Sequence, residues 1–168
     1  MEPTAENMGH LVGFLAQTVS ADPAARKAAE AQLGAAKVQQ GYALLLLRVV
    51  VAGDADPNVR LQGAIQFKNL VNQHWQSSEI HDYHLGDVDK ASVKAEIVQG
   101  SMTVPEKLQP FLSDALSTIC KADFPIDRNW PELLPQLMQS LESPDPAVVV
   151  ATLKVVHAIS LKYVTASH

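Results

Sequence analysis

The 168 residues are 47% hydrophobic and 18% charged, with net charge −5 and a pI near 5.6. Such a composition folds rather than staying disordered, and its sign excludes a surface built to neutralise phosphates, so direct nucleic-acid binding is not expected. A single cysteine, Cys120, excludes an internal disulfide and suits a reducing compartment. The N-terminal stretch MEPTAENMGHLVGFLAQ lacks a basic n-region and a secretory cleavage site. The most apolar run, Tyr42 to Ala52, is too short to cross a bilayer and contains Arg48, so no membrane insertion is expected. The expectation is a soluble intracellular protein.

Helical signals follow one another along the chain. An apolar segment from Met8 to Val19 leads into SADP, where Asp22 is placed to cap a helix and Pro23 to open it. The carboxylate accepts from the free N–H groups of a first turn, and proline at N1 gives up an N–H that is unpaired there anyway. Tyr42 to Ala52 leads into GDADP, with Asp56 and Pro57 in the same roles. Ala91 to Met102 leads into TVPEKL, a looser version that places a helix start at Pro105 after Thr103 or Val104. Trp130 to Leu141 leads into ESPDP, with Asp145 and Pro146.

The prolines at 23, 57, 105 and 146 lie 34, 48 and 41 residues apart. Intervals of roughly 35 to 47 residues belong to helical repeats. Each short turn makes an antiparallel pair, A1–B1 to A4–B4, and residues 76–90 form the one long connection. A helical pair cannot bury its apolar face alone, so neighbours share a core. The expected fold is all-α, a right-handed α-α superhelix of HEAT-type repeats with about four helical hairpins. The repeats fall at roughly 7–37, 41–75, 90–122 and 130–164, within a single domain over 1–168. Pro110 lies inside B3, where its missing N–H predicts a kink or a shifted start.

Helix B2 shows two faces. Leu61, Ala64, Ile65, Lys68, Val71 and Trp75 run down one side, widened by Phe67 and Leu70, with Trp75 a core anchor. Gln62, Gln66, Asn69 and Gln73 form a separate polar stripe. That stripe reads either as a solvated side or as a recognition surface, because amides donate and accept and cost less to desolvate than charges. Outward positions elsewhere are Arg26, Lys27, Glu30 and Lys37 on B1, and Lys107, Asp114, Ser117, Thr118 and Lys121 on B3. On B4 they are Thr152, Lys154, His157, Ser160 and Lys162. An Arg26–Glu30 intrahelical pair is one bland reading.

Catalytic and cofactor signatures are missing. GxxxxGK and GxGxxG do not occur, no Cys–His spacing suits zinc, and no serine has an activating base in a recognisable arrangement. No catalytic residue, metal or cofactor is expected. His74, His81 and His84 read as solvated histidines of a loop, and Cys120 as a buried, inert thiol.

VRLQGAIQFKNLVNQHW resembles the helix of the importin-beta (karyopherin-beta) N-terminal domain that carries an Arg, an Ala, a Lys-Asn pair and a Trp, with Arg60, Ala64, Lys68, Asn69 and Trp75 in place. DPAARKAAEAQL is similar to the helix before it, through Ala29, Glu30 and Leu33. The likeness runs from about Leu11 to Tyr163. YALLLLRVV, ADFP, NWPELLPQLM and LKVVHAISLKYV look most like receptors that carry cargo out of the nucleus.

The resemblance implies that the B helices are concave and grip the GTP form of the GTPase Ran, with importin-alpha as cargo. It implies a non-enzymatic protein that shuttles between nucleus and cytoplasm. Lys68, Asn69 and Gln73 carry over as Ran-binding positions, with Gln62 and Gln66 of the same stripe and with Lys27, Glu30 and Asp114. Alternatives are an importin that releases cargo on binding Ran-GTP, or a membrane-trafficking α-solenoid adaptor. The adaptor predicts a lysine cluster, whereas the 13 Lys and Arg are scattered. Family members are several times longer, so the chain reads as the N-terminal part of a longer receptor. Val155, Val156, Ile159 and Tyr163 of B4 are then expected to be uncovered.

Overall fold

The computed structural model describes residues 1–124 and 130–165, the last four of these by backbone alone. Among the described residues the fold is all-α, with eight helices and no named strand. They are α1 (Ala5–Gln17), α2 (Pro23–Ala36), α3 (Tyr42–Val51), α4 (Pro57–His74), α5 (Asp87–Thr103), α6 (Gln109–Asp123), α7 (Leu133–Leu141) and α8 (Pro146–Thr165). Two compact units divide the chain, Met1–Val93 and Lys94–His168.

The Asp-Pro turns cap helices as their chemistry requires. Asp22 Oδ1 accepts from Ala24 N at 2.9 Å, Asp56 Oδ1 from Asn58 N at 2.8 Å and Val59 N at 3.3 Å, and Asp145 Oδ1 from Ala147 N at 2.9 Å. The first and last of these turns carry a second lock, in which a serine two residues earlier accepts from the aspartate N–H. Ser20 and Ser143 each do so at 3.2 Å. Arg26 bonds to the turn rather than to Glu30: its Nη1 donates to the carbonyls of Ser20 at 2.6 Å and Ala21 at 3.1 Å, which staples the turn to α2.

In the first unit α3 packs on α4, and α1 packs on α2, α3 and α4. Leu11 and Leu15, Leu33, Leu45 to Leu47, Val50, Phe67 and Val71 fill the interior. Gly63 of α4 sits where a Cβ would lie 3.1 Å from Val50 Cγ2 and 3.6 Å from Leu15 Cδ1, so the helices approach closely there. Arg60 is buried, and its Nε donates to the Val50 carbonyl at 2.8 Å, filling an orphan acceptor at the end of α3. Trp75 is 1% exposed, as a core anchor should be.

The stretch 76–86 is held at its stem. Leu85 N donates to the His74 carbonyl at 2.8 Å, and His74 Nδ1 donates to the Tyr83 carbonyl at 2.9 Å. His74 is therefore the buried last residue of α4 and not a solvated loop histidine; the reading missed it because its partner comes from the long connection. Just beyond, Asp89 is 4% exposed and its Oδ1 accepts from Gly41 N at 2.6 Å. Gly41 has φ +89°, and a Cβ there would run into the Met1 backbone carbonyl, so glycine is required.

In the second unit α6 and α7 each pack on α8. The interior holds Ile97, Met102, Leu112, Leu116, Ile119, Leu137 and Val155. Lys94 pairs with Asp123 at 2.5 Å, at the C-terminal end of α6, where a cation also suits the helix dipole. Two helix starts differ from those expected. Pro105 does not open a helix; α6 starts at Gln109, which puts Pro110 within the first two helical positions, where its missing N–H costs nothing. Trp130 precedes α7, which starts at Leu133.

Ser117 and Thr152 are buried rather than outward. Each returns its hydroxyl proton to its own helix, Ser117 Oγ to the Ser113 carbonyl and Thr152 Oγ1 to the Val148 carbonyl, both at 2.7 Å. Val155 is buried, and Val156 and Ile159 are half-buried, while the side chains of Lys162 and Tyr163 lie outside the described residues. The uncovered apolar residues are instead Leu134, Met138 and Leu141 on α7 and Val150, Leu153 and Leu161 on α8.

Candidate protein-binding site

Helix α4 is centred on its core by Val59, Gly63, Phe67, Leu70 and His74, which leaves Leu61, Ile65 and Lys68 half-buried at one flank. This rotation turns Gln66, Asn69 and Gln73 towards α2. Together with Glu30, Leu33, Gly34 and Lys37 of α2 they line a groove of about 320 Å³, with Tyr42, Leu70 and His74 also in its lining. Burial pushes the Tyr42 phenol up to about 12, so it stays protonated and neutral near the groove.

The groove brings together four of the eight residues singled out from sequence: Glu30, Gln66, Asn69 and Gln73. Gln62, half-buried, Lys27, exposed on α2, and Lys68 are not among its lining residues. Asp114 belongs to the second unit. There it is half-buried on α6 and borders a hollow of about 540 Å³ with Gln109, Pro110, Lys154 and Leu161. Lys154 closes one side by pairing with Glu106 at 2.7 Å. Sequence reasoning placed Lys37 outward but gave it no role, and it missed Tyr42 and His74. The amide spacing of α4 gave no sign of them, since they enter from α3 and from the last turn of α4.

The polar side chains differ in whether they are already used. Lys68 and Asn72 each have a polar or electrostatic partner in the chain. Gln66, Asn69, Gln73, Glu30 and Lys37 make no side-chain hydrogen bond or ion pair among the described residues. Three amides therefore offer donors and acceptors into one groove, flanked by one acid and one base. No group of His, Cys, Asp and Glu among the described residues is arranged to hold a metal. Cys120 is buried with its thiol pushed up to about 12, chiefly by burial, and provides no nucleophile.

Residues 29–103 match the importin-beta N-terminal domain. This stretch is 75 of the 168 residues (103 − 29 + 1) and is where the chain is similar to that family. The importin-beta N-terminal domain match opens at Ala29 on α2 and closes at Thr103, the end of α5, so every groove residue from Glu30 to His74 lies within it. The chain is 36% identical over 165 residues to exportin-2 of Drosophila melanogaster, covering 97% of this chain and 17% of that protein. It is 32% identical over 163 residues to exportin-2 of Homo sapiens, covering 97% and 16%. The exportin Cse1 in its cargo-free, cytoplasmic state superposes with a TM-score of 0.81 at 31% identity, over 91% of this chain and 16% of Cse1. Kap121p bound to RanGTP, at 21% identity and a TM-score of 0.68, shares the fold. The chain thus spans about a sixth of the length of these relatives.

Proposed function

We propose that this chain is the N-terminal part of a nuclear export receptor that shuttles between nucleus and cytoplasm. It binds the GTP form of Ran and helps carry importin-alpha to the cytoplasm. It works as a binding module and catalyses nothing. The observation that carries this reading is the α2–α4 groove, where Gln66, Asn69 and Gln73 project without partners inside the stretch that matches the importin-beta N-terminal domain. Desolvated amides left unpaired in a protein interface are costly, so such a stripe suits a partner that satisfies them. The family likeness supplies the identity of that partner.

The test is a pulldown with Ran loaded with GTP or GDP, with and without importin-alpha. Cooperative capture of Ran-GTP and importin-alpha is the expected result. Competition between them turns the reading into an importin, and indifference to Ran removes it. In a full-length receptor carrying this segment, the triple change Gln66→Ala, Asn69→Ala and Gln73→Ala is expected to weaken Ran-GTP binding at least tenfold, at about 1 kcal/mol per lost hydrogen bond. The urea midpoint of the isolated chain should not move, because those amides hold nothing inside it. Unchanged affinity returns the stripe to the role of a solvated face.

A further inference from the structure

We propose that Tyr83 is a phosphorylation site for a tyrosine kinase that selects acidic stretches, and that the phosphate unfastens the connection 76–86 from the end of α4. Tyr83 is not among the lining residues of the α2–α4 groove, and the proposal does not depend on what that groove binds.

In SSEIHDYH, Glu79 and Asp82 stand four residues and one residue before Tyr83. Kinases choose substrates by charge pattern, and an acidic approach to the tyrosine fits a kinase whose peptide cleft is basic. Neither of the other two tyrosines has such an approach. The five residues before Tyr42 are KVQQG and those before Tyr163 are AISLK, with no acid in either.

Access is the second observation. Residues 76–80, 82, 84 and 86 are exposed, and 82–86 belong to no helix or strand, so a cleft can take hold of the segment. Tyr83 itself is half-buried. Its ring lies against that of His74, with centroids 5.5 Å apart, and its carbonyl accepts from His74 Nδ1 at 2.9 Å. Its hydroxyl makes no hydrogen bond among the described residues and is not a buried unpaired atom, so the oxygen that takes the phosphate faces water. Tyr42, by contrast, is 2% exposed.

The transfer uses ATP and Mg²⁺ brought by the kinase. Tyr83 Oη forms a bond to the γ-phosphorus, and the bond from that phosphorus to the β,γ-bridging oxygen breaks. ADP leaves with the electron pair, and the catalytic aspartate of the kinase takes the phenol proton. The product carries a charge of about −1.5 to −2 at neutral pH. Asp89 lies near enough that its carboxylate, after burial, holds the phenol above its ordinary range. That acid is 4% exposed and fixed by the Gly41 N–H at 2.6 Å, so it cannot turn away from a phosphate. The connection yields instead. Like-charge repulsion and the hydration of the dianion draw the ring off His74. The His74–Tyr83 bond opens with it, and so does the bond from Leu85 N to the His74 carbonyl.

The test incubates the folded chain with MgATP and a tyrosine kinase active on a glutamate–tyrosine copolymer, and maps the phosphate by peptide mass spectrometry. Phosphate on Tyr83 is expected. Glu79→Lys combined with Asp82→Lys is expected to slow its addition roughly tenfold, since like charges then meet the basic cleft. On phosphorylation, hydrogen exchange at the Leu85 amide is expected to quicken by about tenfold or more, while the Phe67 amide in the middle of α4 stays protected. A folded chain left unmodified at Tyr83, or modified as fast after the charge reversal, overturns the site. A phosphorylated chain whose Leu85 amide exchanges as slowly as before overturns the unfastening. Tyr83→Phe is the unmodified control and is expected to keep the thermal midpoint, because the hydroxyl holds nothing. If it fails to fold, the mapped peptide of the parent decides alone.

Discussion

At the scale of single residues, the chain places its polar atoms where the backbone has unpaired groups. Asp56 is the clearest case, since one carboxylate oxygen serves two N–H groups of α4. Asp56→Ala should lower stability by about 1 kcal/mol, read as a shift in the urea midpoint. Arg60 does the same at the other end of a helix, giving its Nε–H to the last turn of α3. In the family motif that the sequence carries, this arginine therefore has a structural task, whereas Gln66, Asn69 and Gln73 have none within the chain. Cys120 and Tyr42 show the reverse effect, groups whose ionised forms have no room. Burial raises both to about 12, from ordinary values of 9.0 and 10.0. A raised folded-state value means that stability is complete below the ordinary value and is lost as pH climbs towards the folded one. The urea midpoint should accordingly hold steady up to about pH 9 and fall between there and pH 12. A thiol reagent at pH 8 should leave Cys120 unmodified until the chain is unfolded.

At the scale of helices, two glycines give opposite expectations. Gly34 on α2 has open space around it, whereas Gly63 on α4 is pressed against Val50, which is itself fully buried. Gly63→Ala gains up to about 1 kcal/mol of helix propensity but sets a methyl 3.1 Å from a buried Val50 methyl, which must give way at a cost of about 1–3 kcal/mol for overpacking. A net loss of about 1 kcal/mol is expected, measured by chemical denaturation, against a gain for the same change at Gly34. Helix starts were legible in the sequence wherever the cap is local: Asp22, Asp56 and Asp145 need only their own first turns. Pro105 misled because a nearer proline, Pro110, is better satisfied at the helix start, and both cannot be. The buried Ser117 and Thr152 looked outward because a hydroxyl counts as polar in any periodicity. A hydroxyl bonded to its own i−4 carbonyl carries no outstanding donor into the core. The groove was half legible for a related reason: helical spacing gathers residues of α4, but which α2 residues meet them depends on packing. Buried His74 was illegible because Tyr83 and Leu85, which hold it, come from the irregular connection.

For the molecule as a whole, surface chemistry sets its behaviour in solution. Net charge of −5 opposes association, but the second unit exposes an apolar stripe on α7, Leu134, Met138 and Leu141, spaced by one and two helical turns. Met138 is 63% exposed and Leu153 of α8 55%. Such a surface marks an interaction or aggregation site. The isolated chain should self-associate as concentration rises, by light scattering, and Leu134→Lys with Met138→Glu should return it to a monomer. A parent that stays monomeric at high concentration would show the stripe to be harmless. The connection 76–86 has a different practical meaning. Its stem is tied by the His74 and Leu85 bonds, while Ile80 near its tip is 86% exposed. A closed stem with a solvent-facing tip is a splice point, since lengthening a surface loop adds only slowly to its closure entropy. A fluorescent reporter or an affinity handle inserted beside Ile80 would ride on a neck already fastened to the end of α4. The chain could then be tethered or followed in a cell without touching either terminus.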